Sequence, residues 1–306
     1  MPLIDEATIR LLKEEGFRGF FRGRTLHAYV YFAWMKEYVS FARRVIPNLA
    51  PWAKNMLANR YHGKVISPEV AEDIVTFPGN IDLHHVPDQV IPYEYARDII
   101  IRSPQEIAVI ECACRGAAGN SCTPSQVCMI IGQPFVDFVL AKQPTARRLT
   151  QAEAVEFLQE QHTLGRVHTA WFKDACMGRF YAICNCCKCC CSGAKAMREW
   201  DTNVVAPSGF VAVHDADKCR GCGHCAKGCV YSAIEVHHKK AHLHYDMCMG
   251  CGLCVDHCHH GAWRLVRDEN KGMPLKFREL VANHRLSTGL GPRPRAFRQI
   301  LKKISL

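Results

Sequence analysis

The 306-residue sequence has no long apolar run: its clearest uncharged stretch near the start, Thr25 to Met35, is far short of the roughly 18 apolar residues a membrane-spanning helix needs. It also has no basic stub followed by an apolar segment. Met1 leads into an acidic stretch, and Arg43-Arg44 is a twin arginine in letters only, set inside a helical pattern. No export route is expected, and the sequence reads as cytoplasmic, with peripheral seating on the inner face of the membrane left open. Gly-x-Gly-x-x-Gly before a helix, a Walker loop, a serine nucleophile elbow and a flavin motif are all missing, which removes the usual signatures of dinucleotide, nucleotide and acyl-transfer enzymes.

What the chain has in excess is cysteine. There are 19, an odd number, and most stand in tight runs such as Cys184 to Cys191. Neighbouring cysteines rarely have the geometry to bridge one another, and a chain of this length can bury a core without disulfides. In a reducing compartment such clusters mean metal or redox chemistry. The formal charge is +10. Such a charge suits an acidic redox partner or an anionic surface. The stripe of basic and stacking residues expected of a nucleic-acid binder is met only loosely, by Arg18 to Arg24, so nucleic acid is not expected as a partner.

Helical spacing runs from Thr25 to Ile46, with Leu26, Tyr29, Val30, Trp34, Tyr38, Phe41 and Val45 on one face, which is either core or an interfacial seat for a membrane or a subunit. Ser67-Pro68-Glu69 opens a short helix, and Thr150 with Glu153 forms a capping box ahead of a longer one. Ile107 to Glu111 reads as an extended lead-in to Cys112 and Cys114. Pro124 to Ile131, Phe135 to Lys142 and Ser192 to Trp200 read as helices, and 201–209 as a linker. Phe297, Ile300, Leu301 and Ile304, flanked by Arg298, Lys302 and Lys303, predict a basic amphipathic C-terminal helix that docks a partner or packs on the surface.

Downstream the chain repeats itself. A shift of 29 residues lays Cys219, Cys222, Cys225 and Cys229 on Cys248, Cys251, Cys254 and Cys258, and Gly221 and Gly223 on Gly250 and Gly252. Each half reads Cys-x-x-Cys-x-x-Cys-x-x-x-Cys. A zinc knuckle takes two cysteines and a distant second pair, whereas here four occur in one run, twice. At these residues, about 208 to 267, the sequence resembles the two-[4Fe–4S] bacterial-type ferredoxin domain. The resemblance implies crossed ligation: Cys219, Cys222, Cys225 and Cys258 for one cluster, and Cys248, Cys251, Cys254 and Cys229 for the other. It also implies strands near Phe210–Val213, Ile234–Val236, His242–Tyr245 and Trp263–Val266. The proline usual after the fourth cysteine is Val230 in one run and His259 in the other. A restored N–H donor beside a ligating sulfur favours the reduced cluster, so at least one potential is expected above that of a typical ferredoxin. His257, His259 and His260 are expected to crowd the second cluster.

Cys112, Cys114, Cys122 and Cys128 form one further group, and Cys184, Cys186, Cys187, Cys189, Cys190 and Cys191 another; Cys176 stands alone. With Cys-x-Cys-Arg and Cys-Asn-Cys-Cys-x-Cys-Cys-Cys signatures, this stretch resembles an uncharacterised module seen ahead of ferredoxin domains in proteins of anaerobes. At least one additional Fe–S cluster is expected there, with ligands drawn from both groups, because strict alternation would turn Cys184 and Cys186 away from Cys187, Cys189 and Cys191. The predicted class is α+β: a helical region at 1–100 and a cysteine-rich module at 101–207, together a mainly helical N-terminal domain, then a ferredoxin-type domain at 208–267 and a basic tail at 268–306. The expected function is electron transfer between a partner oxidoreductase and an acceptor, as a subunit rather than a stand-alone enzyme. The alternative is a reductase whose N-terminal cluster binds substrate.

Overall fold

The computed structural model describes residues 4–14, 24–119 and 122–287, so the basic stretch that begins at Arg18, up to residue 23, and the predicted helix at 297–304 lie outside the described residues. The fold is mixed α+β, as expected. Its front part holds more helix than strand, yet an eight-stranded sheet organises it, in the order β2-β3-β4-β7-β6-β1-β8 with β5 also on β3. These strands are β1 (Tyr61–Val65), β2 (Ile81–Leu83), β3 (Ile99–Glu111), β4 (Gln126–Gln133), β5 (Arg147–Leu149), β6 (Val167–Lys173), β7 (Arg179–Cys186) and β8 (Val205–Ala206). Pairing is antiparallel except between β1 and β8. Since β1 and β2 hydrogen-bond into this sheet, it crosses the boundary expected at residue 100.

Helices cover both faces. On one side lie α1 (Glu6–Glu14), α2 (Arg24–Ala33), α3 (Met35–Val45) and α7 (Phe135–Lys142), around Leu11, Phe32 and Phe138. On the other lie α5 (Pro68–Val75), α8 (Gln151–Thr163) and α12 (Phe277–Ser287), around Ile74, Leu158 and Phe277. Alternation in β3 explains the two layers, since Ala108 and Ile110 join the first core and Ile107 and Val109 the second. The remaining helices are α4 (Pro51–Arg60), α6 (Ala113–Ala118) and α9 (Ser192–Glu199).

Several expectations meet their elements and some do not. Ser67 caps α5, and Thr150 with Glu153 caps α8 as a full capping box. The stretch expected as a helix at Pro124 to Ile131 is instead strand β4, paired to β3 and β7 and covered on both faces. A short apolar run buried on both sides has no periodicity that separates strand from helix. The long helix expected from Thr25 to Ile46 breaks at Trp34, whose backbone leaves the helical region. Its buried face carries Ala28, Tyr31, Phe32, Met35 and Val39, while Leu26, Val30, Trp34 and Phe41 of the expected stripe are exposed. The expected linker is packed: β8 joins the sheet, and Ser208 is buried.

The last part consists of β9 (Phe210–His214) paired with β12 (Trp263–Arg267) and the hairpin β10 (Ile234–His237) with β11 (Lys240–Leu243), around short helices α10 (His224–Gly228) and α11 (Leu253–Asp256). The chain then returns to the front part, where Arg278 pairs with Asp73 and the buried Lys64 donates from Nζ to the Met273 carbonyl at 2.8 Å.

Candidate iron–sulfur centres

The repeated cysteine runs fold into two cavities of near-equal size, about 340 and 370 Å³ with their open mouths. One is lined by Cys219, Cys222, Cys225 and Cys258. The other is lined by Cys229, Cys248, Cys251 and Cys254. The fourth cysteine of each run thus stands in the wall of the other run's cavity. Matching amides serve these fourth sulfurs: Ala233 N donates to Cys229 Sγ at 3.2 Å and Ala262 N to Cys258 Sγ at 3.4 Å. Amides aimed at a ligating sulfur are what an iron–sulfur group requires. Gly221 and Gly250, repeat counterparts with φ of +66° and +62°, pass so near the Lys239 and Phe210 backbones that a side chain would overlap them.

The two cavities differ in lining. Cys222 is exposed, and Arg220, His224, His257 and His260 stand around its cavity. Of the histidines expected beside the second cluster, His257 and His260 line the first instead, because Cys258, which they flank, belongs to the first cavity. Around the second stand Ala212, Ile234, Leu243 and Leu265. Burial, with the Cys229 and Cys248 sulfurs, pushes the Cys251 thiol up to about 12.

The front-module cysteines assemble in a grouping that their order along the chain does not show. Cys112, Cys114, Cys128, Cys184, Cys186, Cys187 and Cys191 line a third cavity, again about 370 Å³. Cys128 and Cys184 are cross-strand partners on β4 and β7, and Cys186 follows Cys184 on the same face by the two-residue strand period. Cys112 stands at the N-terminal boundary of α6, and Cys191 caps α9, its sulfur accepting from Ala194 N at 3.5 Å. Cys191 joins Cys186, against the expectation from alternation, because the chain has already turned into α9. The Cys128 thiol lowers the pKa of Cys184, but burial and the Cys186, Cys112 and Cys114 sulfurs outweigh it and hold Cys184 at about 12. Thiols that resist ionisation release protons when a metal binds. Trp171 in this wall has a buried Nε1 with no hydrogen-bond partner, a donor that suits inorganic sulfide.

Cys122 departs from its sequence neighbours to join Cys187, Cys189 and Cys190 in a second front set, with all four sulfurs within 4.8 Å of one another. Burial raises the Cys187 thiol, but the Cys190 amide, the Cys189 thiol and the Arg115 and Arg166 charges bring it down to about 7. Cys176 is buried and belongs to neither set.

Tyr231 joins the two halves. Fully buried, it is acted on by Cys186 and Cys191 from the front and by Cys251 from the second cavity, and it shares one core with Trp171, Met249 and Leu253. Lys188 Nζ donates to Ala226 O at 2.8 Å and Arg198 Nη1 to Val230 O at 2.6 Å, while Ser208 Oγ donates to Gly250 O at 2.6 Å. Tyr231 lies between the two cysteine runs of the repeat, where no spacing signal marks it.

Residues 212–259 match the family of 4Fe-4S dicluster domains. No curated protein and no solved structure matches the chain. Among the described residues, no helix is long and apolar enough to cross a membrane.

Proposed function

We propose that the chain is a cytoplasmic electron-transfer component of an oxidoreductase system, holding three iron–sulfur clusters in a row. Cys219, Cys222, Cys225 and Cys258 would hold the outer [4Fe–4S] cluster, Cys229, Cys248, Cys251 and Cys254 the middle one, and four of the buried front thiols the inner one. Bound clusters supply one-electron carriers; the chain's own residues set their spacing, surroundings and access. The observation that carries this reading is Tyr231, which lines the second cavity and packs in the same buried core as Cys186 and Cys191 of the third. The hydrogen bonds of Lys188, Arg198 and Ser208 across the same junction hold that separation constant, which matters because electron tunnelling falls steeply with distance. An acidic redox partner would exchange electrons at the outer cavity, a reading supported by the exposure of Cys222 and by Arg220 in the same lining. The exposed Leu26, Val30, Trp34 and Phe41 offer a second docking face, for a subunit or an anionic membrane. Vesicle sedimentation at low salt separates these two, since only the membrane version carries protein into the pellet.

The test is acid-labile sulfide in anaerobically purified protein: about twelve per chain supports three cubanes, and about eight limits the chain to the dicluster pair. Replacing Cys128 by serine should then remove about four sulfides.

One observation favours the alternative, a reductase. A cavity of about 600 Å³ with its mouth shares Cys114 with the third site and is lined by Tyr31, Tyr38, Tyr61 and Lys173. Lys173 Nζ sits 4.6 to 4.8 Å from those three ring centres, a cation and hydroxyls converging on an apolar cavity. A substrate bound there would shift the EPR signal of the inner cluster, whereas a pure relay would show no such shift.

A further inference from the structure

The ten front-module cysteines make two sites of different kinds. We propose that Cys122, Cys187, Cys189 and Cys190 bind a single tetrahedral metal ion, zinc or iron, as a mononuclear tetrathiolate centre separate from the buried cluster site. This builds on the electron-transfer reading only in leaving six other thiols for the inner cluster; it stands or falls by itself.

Geometry carries the proposal. Cys189 Sγ lies 3.4 Å from Cys122 Sγ, 3.5 Å from Cys187 Sγ and 3.4 Å from Cys190 Sγ. A tetrahedral ion with metal–sulfur bonds of about 2.3 Å sets its four sulfurs about 3.8 Å apart. A cubane's thiolates span a distinctly larger tetrahedron, because each extends outward from its own iron corner. The two dicluster cavities serve as an internal comparison: among the described residues, the Cys122 set is the one group of three or more potential ligands drawn within 4.8 Å, and the paired four-cysteine runs are not so contracted. Local structure explains the contraction. After β7 ends at Cys186, a turn closes with Cys191 N donating to Cys187 O, so three sulfurs project from four residues. Cys122 arrives from the segment after α6 to complete the set.

Charge agrees. Four thiolates around a divalent ion leave a formal charge of −2, which in a partly buried site needs compensation. Arg115 is 4% exposed, lies in the field of Cys187 and Cys122, and keeps Nε and Nη2 without a hydrogen-bond partner. Arg166 Nη2 reaches Cys122 Sγ at 3.8 Å, and its Nε is also unpartnered. Two guanidiniums with free donors beside four sulfurs match such a centre in charge and in hydrogen bonding. On metal binding, the four thiols give up their protons to solvent.

The experiment measures zinc, iron and acid-labile sulfide in full-length protein, with Cys189→Ser alongside. The expected result is one zinc, or one iron in excess of sulfide, per chain, lost in Cys189→Ser while sulfide stays at the wild-type value. Loss of about four iron and four sulfide together in Cys189→Ser would make the set a cubane and overturn the proposal. So would wild-type iron equal to sulfide with no zinc. Should Cys189→Ser fail to fold, Co²⁺ exchanged into the wild-type protein still decides: the visible ligand-field bands of a tetrahedral tetrathiolate are expected, and their absence overturns the proposal. The metal surplus is independent of whether sulfide counts eight or twelve, so failure here and failure of the three-cluster reading are told apart.

Discussion

Gly250→Ala would place a methyl group where the backbone leaves no room. The residue sits at φ +62°, and its added Cβ would fall on the Phe210 carbonyl and on Ser208 Oγ, the hydroxyl that joins this loop to the end of the front part. Left-handed backbone costs a non-glycine residue about 1–2 kcal/mol, and pushing aside packed backbone adds about 1–3 kcal/mol. Gly223→Ala is the matched control, since it has φ +79° in the other half of the repeat but nothing within 4 Å of its added Cβ. It should show only the first cost. At 2–4 °C per kcal/mol for a domain of this size class, the steric part separates the two variants by roughly 2–12 °C. Anaerobic thermal unfolding at one scan rate, followed by the cluster charge-transfer absorbance, reads the difference, and Gly250→Ala should lose colour before the bulk of the secondary structure melts. If both variants melt together, the close approach of Gly250 to Phe210 is not what holds the second cavity to the front part.

Burial, helped by the Arg267 charge, lowers the Lys64 pKa to about 7, so at neutral pH this lysine costs the native state on the order of 4 kcal/mol; Lys64→Met should raise the melting temperature at pH 7, by a margin that shrinks as pH climbs toward 10.5 and the wild-type penalty disappears. Burial also lowers His62 to about 4, against the opposing Ala58 and Ala96 carbonyls. Because its folded pKa lies below the unfolded value of about 6.5, stability present above pH 6.5 is lost as pH falls toward 4, by about 3 kcal/mol, and His62→Gln should flatten denaturant midpoints across that window. In EPR redox titrations the cluster of the cavity lined by Arg220, His224, His257 and His260 should titrate above that of the apolar cavity, and above a typical ferredoxin, since positive and donor groups favour the more negative reduced state; two couples at the same low potential would refute this.

The dicluster part was legible in the sequence because its information is local. Three cysteines within seven residues, glycines at fixed offsets and a 29-residue repeat specify a loop that folds the same way twice, and the match over 212–259 coincides with it. Capping residues such as Ser67 and Thr150 were legible for the same reason, since each satisfies donors three residues away. The front part was not, because its order is set by strand pairing between distant segments. Nothing within 124–131 distinguishes a strand buried on both faces from a short helix; only β3 and β7 on either side decide it. The same pairing sorted the thiols. Sequence order puts Cys122 with Cys112, Cys114 and Cys128, but the register of Cys128 opposite Cys184 carries those three to the buried cavity and leaves Cys122 to the turn after β7. Tyr231 follows the same rule: an unremarkable residue between two motifs becomes the junction of two cysteine sites because tertiary packing, not chain neighbourhood, brings Cys186, Cys191 and Cys251 around it.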